Sequence, residues 1–137
     1  MTVLLADDSQ AIRQVLLRLF STLPHFKVIA EAEDGCQALA AINRLQPDVV
    51  ILDIRMPRMS GLEVLEQLKE NPSGCKVLVF SQHGEQAYRR KCRELGAYGF
   101  FDKLSGIEEF QKALRQIDIR SSPPGFAGKV LPNDKRS

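Results

Sequence analysis

The chain has 137 residues, of which 44% are hydrophobic and 26% are charged, and its formal net charge is +2. These values indicate one globular domain, and the small net charge gives no support for nucleic-acid binding. No apolar stretch approaches the roughly 20 residues that span a bilayer, and three scattered cysteines with two histidines do not form a zinc pattern. A strand pattern rather than a signal peptide opens the chain, so we expect a reducing cytoplasm.

Five short apolar runs predict strands, which begin near residues 3, 27, 49, 77 and 98. The segments between them carry apolar residues at helical spacing, so they predict amphipathic helices. For the first helix, the predicted buried face contains Ile12, Val15, Leu16, Leu19 and Phe20. Strands that alternate with helices indicate a parallel sheet, and continuous apolar runs are typical of strands buried on both faces.

The fourth predicted helix, from about Glu85 to Leu95, has few apolar positions and many cations. These four cations (Arg89, Arg90, Lys91 and Arg93) suggest nucleic-acid binding as one hypothesis. No aromatic platform accompanies them, so a solvated face or a site for an acidic partner is the better interpretation. The thin apolar stripe predicts a weakly anchored helix that could move.

The helical pattern stops after about Arg120, where a Ser-Ser-Pro-Pro-Gly stretch begins. We therefore predict a domain over residues 1–120 and a flexible tail over residues 121–137. The tail is too short for a DNA-binding domain. We expect a protein that acts alone, and the alternative is a piece cut from a longer regulator.

Residues capable of phosphoryl chemistry follow four of the five predicted strands. Asp7 and Asp8 follow the first, Asp53 the third, Ser81 ends the fourth and Lys103 follows the fifth. Taken singly, each has an ordinary explanation as a helix cap, a turn residue or a surface lysine. In a doubly wound sheet, however, ligands bind outside the carboxyl ends of the strands. Their joint placement therefore predicts one site.

Three neighbouring carboxylates repel one another, and a hard divalent cation such as Mg²⁺ would relieve this repulsion. A bound metal can also offset the charge of an incoming phosphoryl group. An aspartate carboxylate is a competent nucleophile towards phosphorus. The lysine would supply a compact positive charge and the serine one hydrogen bond.

The sequence resembles the receiver domain of two-component response regulators over about residues 2–119. The matching pieces are Leu4–Ser9, Asp53–Glu63, Phe80–Ser81, Gly96–Ala97 and Asp102–Lys103. The second piece is the most specific, because a strand that ends in Asp and is followed by Met-Pro and Met-Ser-Gly is rare by chance. The resemblance implies a flavodoxin-like α/β fold, a doubly wound (βα)5 domain with strand order 2-1-3-4-5.

The resemblance also implies roles for individual residues at the metal site. Asp53 corresponds to the phosphoacceptor. Asp8 corresponds to a direct Mg²⁺ ligand, Asp7 to a partner that acts through water, and the backbone carbonyl of Arg55 to a further ligand. The implied function is a signalling switch that catalyses only its own phosphorylation and dephosphorylation, rather than an enzyme with a separate substrate.

Further implied roles concern the response to phosphorylation. Lys103 would pair with the phosphoryl group, Ser81 would donate a hydrogen bond to it, and Phe100 occupies the position of the rotameric switch. The implied phosphodonor is a sensor histidine kinase or a histidine phosphotransfer protein. The output protein is unknown, and the face formed by the fourth helix, fifth strand and fifth helix would bind it. We expect a monomer or a phosphorylation-dependent homodimer, with neither a membrane nor nucleic acid as a direct partner.

Three positions depart from the family pattern or vary within it. Leu104 stands where the family has a proline, often after a cis bond, and we expect a trans bond because a non-proline cis bond costs about 3 kcal/mol. Arg55 and His83 border the pocket, where they would tune the lifetime of the phosphoryl group.

Two other functions compete with this interpretation. An aspartate-nucleophile phosphohydrolase of the haloacid dehalogenase type would need an acid two residues after Asp53, and Arg55 occupies that position. A degenerate receiver that binds partners constitutively is disfavoured by the complete acidic cluster, although Leu104 keeps it open. The receiver of a DNA-binding transcriptional regulator also remains an alternative.

Overall fold

The computed structural model describes residues 1–82 and 86–117. The predicted tail and His83 lie outside these ranges. Within them, five strands alternate with five helices, in the order β1 Thr2–Ala6, α1 Gln10–Ser21, β2 Lys27–Ala32, α2 Gly35–Leu45, β3 Val49–Leu52, α3 Gly61–Glu70, β4 Lys76–Ser81, α4 Gln86–Glu94, β5 Gly99–Asp102 and α5 Ile107–Gln116. None of these helices has the length and apolar character to cross a bilayer.

The strands form one parallel sheet in the order β2-β1-β3-β4-β5, which confirms the predicted doubly wound fold. Strand β1 lies second in the sheet, the chain then forms the edge strand β2, and it crosses back to β3 on the other side of β1. The carboxyl ends of β1 and β3 therefore lie side by side, with Ala6 paired with Leu52. This is the point in such sheets where a ligand crevice opens.

Two hydrophobic cores lie on opposite faces of the sheet, because alternate strand residues point to opposite sides. One core packs beneath α2, α3 and α4, and the other packs beneath α1 and α5. The neighbouring residues Phe100 and Phe101 belong to different cores, with Phe100 in the first and Phe101 in the second. Coverage of both faces explains why the strand sequences are apolar throughout rather than alternating.

The buried face of α1 differs from the sequence prediction at one position. Val15 is 47% exposed, so its assignment to the core was wrong, whereas Leu16 and Phe20 are buried as predicted. Arg13 lies inward instead, at 8% exposure. Apolar spacing alone placed Val15 on the inner face, whereas Arg13 lies there instead and its guanidinium donates to the buried Asp7 carbonyl and to Glu31.

Side-chain caps fix the loops that lead into the helices at the carboxyl edge of the sheet. Ser9 caps α1, Asp34 caps α2, and Ser60 forms a reciprocal capping box with Glu63 at the start of α3. Such caps satisfy the free amide groups of a first helical turn. They hold the loops around the sheet edge in one arrangement.

Helix α4 is weakly anchored, as its thin apolar stripe predicted. The structure describes every residue of α4, and among them only Cys92 is buried. Burial raises the pKa of the Cys92 thiol to about 12, so it stays protonated and packs as a small apolar group. At the far end of the helix, the Lys69 ammonium donates a hydrogen bond to the Glu94 carbonyl over 2.9 Å.

Candidate functional site

Three carboxylates converge where β1 and β3 end. Asp7, Asp8 and Asp53 each offer an oxygen, and these oxygens all lie within 4.8 Å of one another. Asp7 and Asp53 are buried, whereas Asp8 is exposed. The pairing of β1 with β3 brings them together, and the Asp53 amide donates a hydrogen bond to the Ala6 carbonyl over 3.0 Å.

Asp7 is held by several hydrogen bonds at once. Its amide donates to the Ala32 carbonyl at the end of β2 over 3.0 Å, and its Oδ1 accepts from the Ser9 amide over 2.9 Å. Its other carboxylate oxygen, Oδ2, lies 2.7 Å from the Lys103 ammonium. A carboxylate with this many fixed partners is oriented before any ligand arrives.

Lys103 inserts its ammonium between the two buried carboxylates. Its Nζ lies 2.7 Å from Asp7 Oδ2 and 3.2 Å from Asp53 Oδ2, and its side chain is only 7% exposed. The Lys103 amide donates to the Ser81 carbonyl over 3.0 Å, which extends the pairing of β5 with β4 to the pocket. Parallel pairing of the last strand therefore brings the lysine to the acidic cluster.

Leu104 does not displace the lysine. All described peptide bonds are trans, so the bond between Lys103 and Leu104 is trans as predicted. Asp102 Oδ1 accepts hydrogen bonds from the amides of Leu104 and Ser105 over 2.8 and 3.2 Å. These bonds shape the turn before α5 without a proline, and the Leu104 side chain extends into solvent at 81% exposure.

Asp53 is buried in the pocket beside both a like charge and an opposite charge. Burial and the nearby Asp7 carboxylate raise its pKa, while Lys103 and a hydrogen bond with Ser81 oppose the increase. Its Oδ1 also accepts from the Ile54 amide over 2.8 Å. Ser81, at the end of β4, is fully buried, so its hydroxyl is directed at the cluster rather than at solvent.

Other predicted residues lie around this arrangement. Arg55 lines the same pocket together with Gln82 from the end of β4. Phe100 is 1% exposed and packs on the α4 side of the sheet. The Arg89 guanidinium lies over its ring, 4.8 Å from the centroid, and donates a hydrogen bond to the Phe100 carbonyl over 3.4 Å. This contact links α4 to β5 and was not predicted from the sequence.

The donor set fits Mg²⁺. All three clustered ligands are carboxylates, with no histidine or thiolate among them, and hard cations such as Mg²⁺ prefer oxygen. Two carboxylates are buried and share one ammonium, so the cluster keeps excess negative charge. Exposed Asp8 lies at the mouth of the pocket and leaves an entry path for a hydrated ion.

Comparison with known proteins agrees with this geometry. The family model described as the response regulator receiver domain matches residues 3–115. The chain belongs to this family. Receiver domains act as signalling switches, and an acidic pocket of the kind formed by Asp7, Asp8 and Asp53 is where they bind Mg²⁺.

Individual relatives extend the match. The nitrate/nitrite response regulator protein NarL of Escherichia coli strain K12 is 35% identical over 115 residues, which cover 84% of this chain and 53% of NarL. Response regulator GacA of Pseudomonas aeruginosa is 31% identical, covering 84% of this chain and 54% of GacA. The chain thus spans about half the length of the curated relatives it matches.

Solved receiver structures share the fold. The signal receiver domain of response regulator NarL from Mycobacterium tuberculosis superposes with a TM-score of 0.77 at 35% identity, covering 83% of this chain and 92% of that one. The response regulator domain of Thermotoga maritima CheB gives a TM-score of 0.80 at 29% identity, covering 90% of this chain and 98% of that one.

Sequence reasoning missed two residues that shape the receiver pocket. Arg13 donates to the Asp7 backbone carbonyl over 2.7 Å, and an arginine on an otherwise amphipathic helix resembles a solvated charge. Gly61 packs against Asp53, because a Cβ there would lie 2.1 Å from the Asp53 carbonyl oxygen. The Met-Ser-Gly motif contained this second signal, but only the fold reveals which backbone the glycine approaches.

Proposed function

We propose that the chain is a phosphoacceptor switch that takes a phosphoryl group onto Asp53 in a Mg²⁺-dependent reaction. The observation that carries this proposal is the convergence of Asp7, Asp8, Asp53 and Lys103 at one end of the sheet. The proposed phosphodonor is a sensor histidine kinase or a histidine phosphotransfer protein. The reaction modifies the chain itself, and no separate substrate is turned over.

In the proposed transfer, a carboxylate oxygen of Asp53 attacks the phosphorus of a phosphohistidine. A P–O bond forms, the P–N bond breaks, and its electron pair passes to the imidazole nitrogen, which takes up a proton from solvent. The same chemistry with a small acyl phosphate breaks a P–O bond and releases the carboxylate. Dephosphorylation follows when water attacks the aspartyl phosphate and releases inorganic phosphate.

Charges around Asp53 support this transfer. Asp8 would hold Mg²⁺ directly, Asp7 through water, and Asp53 with the Arg55 backbone carbonyl would complete the protein ligands. Mg²⁺, when bound, offsets the negative charge of the phosphoryl oxygens and favours in-line attack. Lys103 would exchange its bond to Asp53 for one to a phosphoryl oxygen, and the Ser81 hydroxyl would donate another.

The proposed output depends on Ser81 and Phe100. A phosphoryl group on Asp53 adds negative charge and strong acceptors that attract the Ser81 hydroxyl. Phe100 lies on the next strand, and its ring is already buried under Arg89. A shift of Ser81 would change the packing of this ring, and with it the face formed by α4, β5 and α5. That face would bind the output protein or a second copy of the chain.

Arg55 is proposed to tune the lifetime of the aspartyl phosphate, because it lies two residues after Asp53 and lines the same pocket. His83, outside the described residues, remains a second proposed tuning position.

The function is tested by intact mass spectrometry after incubation with acetyl phosphate, with and without Mg²⁺. We expect one phosphoryl adduct on the wild-type chain, no adduct on Asp53→Asn, and loss of the adduct when EDTA removes Mg²⁺. Asp48→Asn is a matched control, since Asp48 lies at the opposite end of the sheet, where it accepts hydrogen bonds from Thr2.

A wild-type chain that stays unmodified and does not bind beryllofluoride with Mg²⁺ would contradict the proposal. A degenerate receiver with constitutive partner binding would then be the better interpretation. If the adduct forms, light scattering with and without beryllofluoride distinguishes a monomer from a phosphorylation-dependent dimer.

A second candidate is the receiver of a DNA-binding transcriptional regulator. One relative is the transcriptional regulatory protein DegU of Brevibacillus brevis, and this similarity favours the second candidate. The chain also spans only about half of the length of DegU. Reading the coding sequence beyond Ser137 tests it. A frame that continues into a helix-turn-helix domain would support this candidate, and a stop codon would exclude it.

A further inference from the structure

Arg13 is a buried cation that the proposed phosphotransfer mechanism does not use. It lies on the inner face of α1 at 8% exposure, beside the acidic pocket. Its Nη1 donates to the Asp7 backbone carbonyl over 2.7 Å, and its Nε donates to Glu31 Oε1 over 2.8 Å. Burying a guanidinium is expensive unless its donors are satisfied, so these two bonds determine where it lies.

The first bond fixes the backbone between two of the clustered carboxylates. The carbonyl that Arg13 contacts belongs to the peptide joining Asp7 to Asp8. The amide of Asp7 is held separately by the Ala32 carbonyl on β2. The plane of the peptide leading into Asp8 is thus set by Arg13, and the direction in which the Asp8 side chain leaves the backbone depends on that plane.

The second bond anchors the guanidinium from another element. Glu31 belongs to β2, the edge strand, and its side chain is 40% exposed. Arg13 therefore joins α1, the loop after β1 and the end of β2 in one bridge. A planar guanidinium with donors in fixed directions suits this geometry better than the flexible point charge of a lysine.

We infer that Arg13 is a positioning residue for metal binding, which orients Asp8 through the Asp7 backbone. This inference rests on the proposed function, since it concerns Mg²⁺ at the same acidic pocket. Groups that orient metal ligands typically contribute about 10- to 100-fold to metal affinity. Loss of the Arg13 guanidinium should weaken Mg²⁺ binding by this factor while the chain stays folded.

The test is isothermal titration of Mg²⁺ into the wild-type chain and into Arg13→Gln, Arg13→Lys and Glu31→Gln. The Asp8 amide resonance, followed by NMR during the same titration, reports on the site independently of phosphorylation. Arg18→Gln is the matched control, because Arg18 is an exposed arginine on the same helix. Leu16→Val, in the core of α1, controls for loss of stability alone.

We expect Arg13→Gln to weaken Mg²⁺ binding about 10- to 100-fold, Arg13→Lys to recover part of the loss, and Glu31→Gln to weaken binding less. Both controls should bind like the wild type. If Arg13→Gln does not fold, Arg13→Lys and Glu31→Gln carry the test. Folded Arg13 variants that bind Mg²⁺ within twofold of the wild type would overturn this inference alone. A wild-type chain that binds no Mg²⁺ would instead overturn the proposed function.

Discussion

At the scale of single residues, the pocket keeps two buried carboxylates close together with one ammonium between them. Asp53 is 6% exposed, and burial with the neighbouring Asp7 raises its pKa, against the opposing effect of Lys103. A raised pKa means that the folded chain holds a proton on Asp53 more tightly than the unfolded chain does. Ionised Asp53 therefore lowers the free energy of unfolding of the chain. Carboxylates with such perturbed pKa values are typical of functional sites.

Asp53→Asn should consequently stabilise the chain in the absence of Mg²⁺. At pH 7 we expect a gain on the order of 1 kcal/mol in the free energy of unfolding, because a buried charge beside a like charge is removed. The contribution of Asp53 to the free energy of unfolding of the wild type is fully present below its ordinary pKa of 3.8. This contribution is lost as the pH rises from 3.8 through the higher pKa of Asp53 in the folded chain. The advantage of the neutral variant should therefore shrink as the pH is lowered towards 3.8.

Urea unfolding at several pH values measures this difference. Glu66→Gln, which neutralises an exposed carboxylate on α3, should change stability little at any pH. An Asp53→Asn variant less stable than the wild type at pH 7 would mean that its bond to Lys103 outweighs the cost of burial.

At the scale of elements, the loop between β3 and α3 is packed tightly against its neighbours. The Gly61 amide donates to the Ile54 carbonyl over 2.7 Å, and the missing side chain of Gly61 lets α3 begin against the Asp53 backbone. Gly35, the first residue of α2, makes a similar approach, with its Cβ position 1.9 Å from the Met59 carbonyl oxygen. The loop that follows the proposed phosphoacceptor is thus held between the starts of two helices.

Gly61→Ala should disrupt this arrangement. An added Cβ would overlap the Asp53 carbonyl oxygen and approach Ile54 Cα at 2.9 Å, and both atoms belong to the backbone. We expect a loss of about 1–3 kcal/mol in unfolding free energy and slower phosphorylation by acetyl phosphate, because Asp53 must shift. Glu66→Ala on the exposed side of α3 is the control. Stability and phosphorylation rate both equal to the wild type would show that α3 can slide to make room.

At the scale of the whole molecule, the helices that cover one face of the sheet contribute unequally to its core. Helix α3 buries Val64, Leu65 and Leu68, whereas α4 buries only Cys92 in the same core. Elements with few buried contacts open at low free-energy cost. Helix α4 buries the fewest side chains of the described helices, so we expect it to open at the lowest free-energy cost.

Hydrogen–deuterium exchange followed by mass spectrometry tests this ranking. Amides of α4 should exchange faster than those of α3, which serves as the internal reference within one sample. Binding of beryllofluoride and Mg²⁺ should slow exchange in α4 if phosphorylation orders the output face. Equal protection of α3 and α4 in the unliganded chain would contradict the expected weakness of α4.

Local sequence patterns were sufficient for the alternation of strands with helices and for the acidic cluster at the strand ends, whereas the strand order was implied only by the resemblance to receiver domains. Continuous apolar strands and polar strand ends are visible in any short window around Asp7 or Asp53. The contacts of Arg13, Arg89 and Gly61 were not predicted, since they depend on how neighbouring elements pack against each other, which local patterns do not reveal. Val15 was misplaced for the same reason: apolar spacing cannot reveal that Arg13 competes for the inner face of α1.

The identical neighbours Phe100 and Phe101 leave the alignment of β5 with few distinguishing features. If β5 slipped by one residue along β4, every side chain of β5 would change face, yet one phenylalanine would still fill one of the two cores, while Gly99 or Asp102 would enter the other. Such a slip would move Lys103 by about 3.3 Å, too far to keep its place between Asp7 and Asp53. A misaligned chain would then lack the arrangement on which the proposed phosphoacceptor chemistry depends. The contacts of Lys103 with Asp7 and Asp53 therefore depend on the correct alignment of β5 with β4.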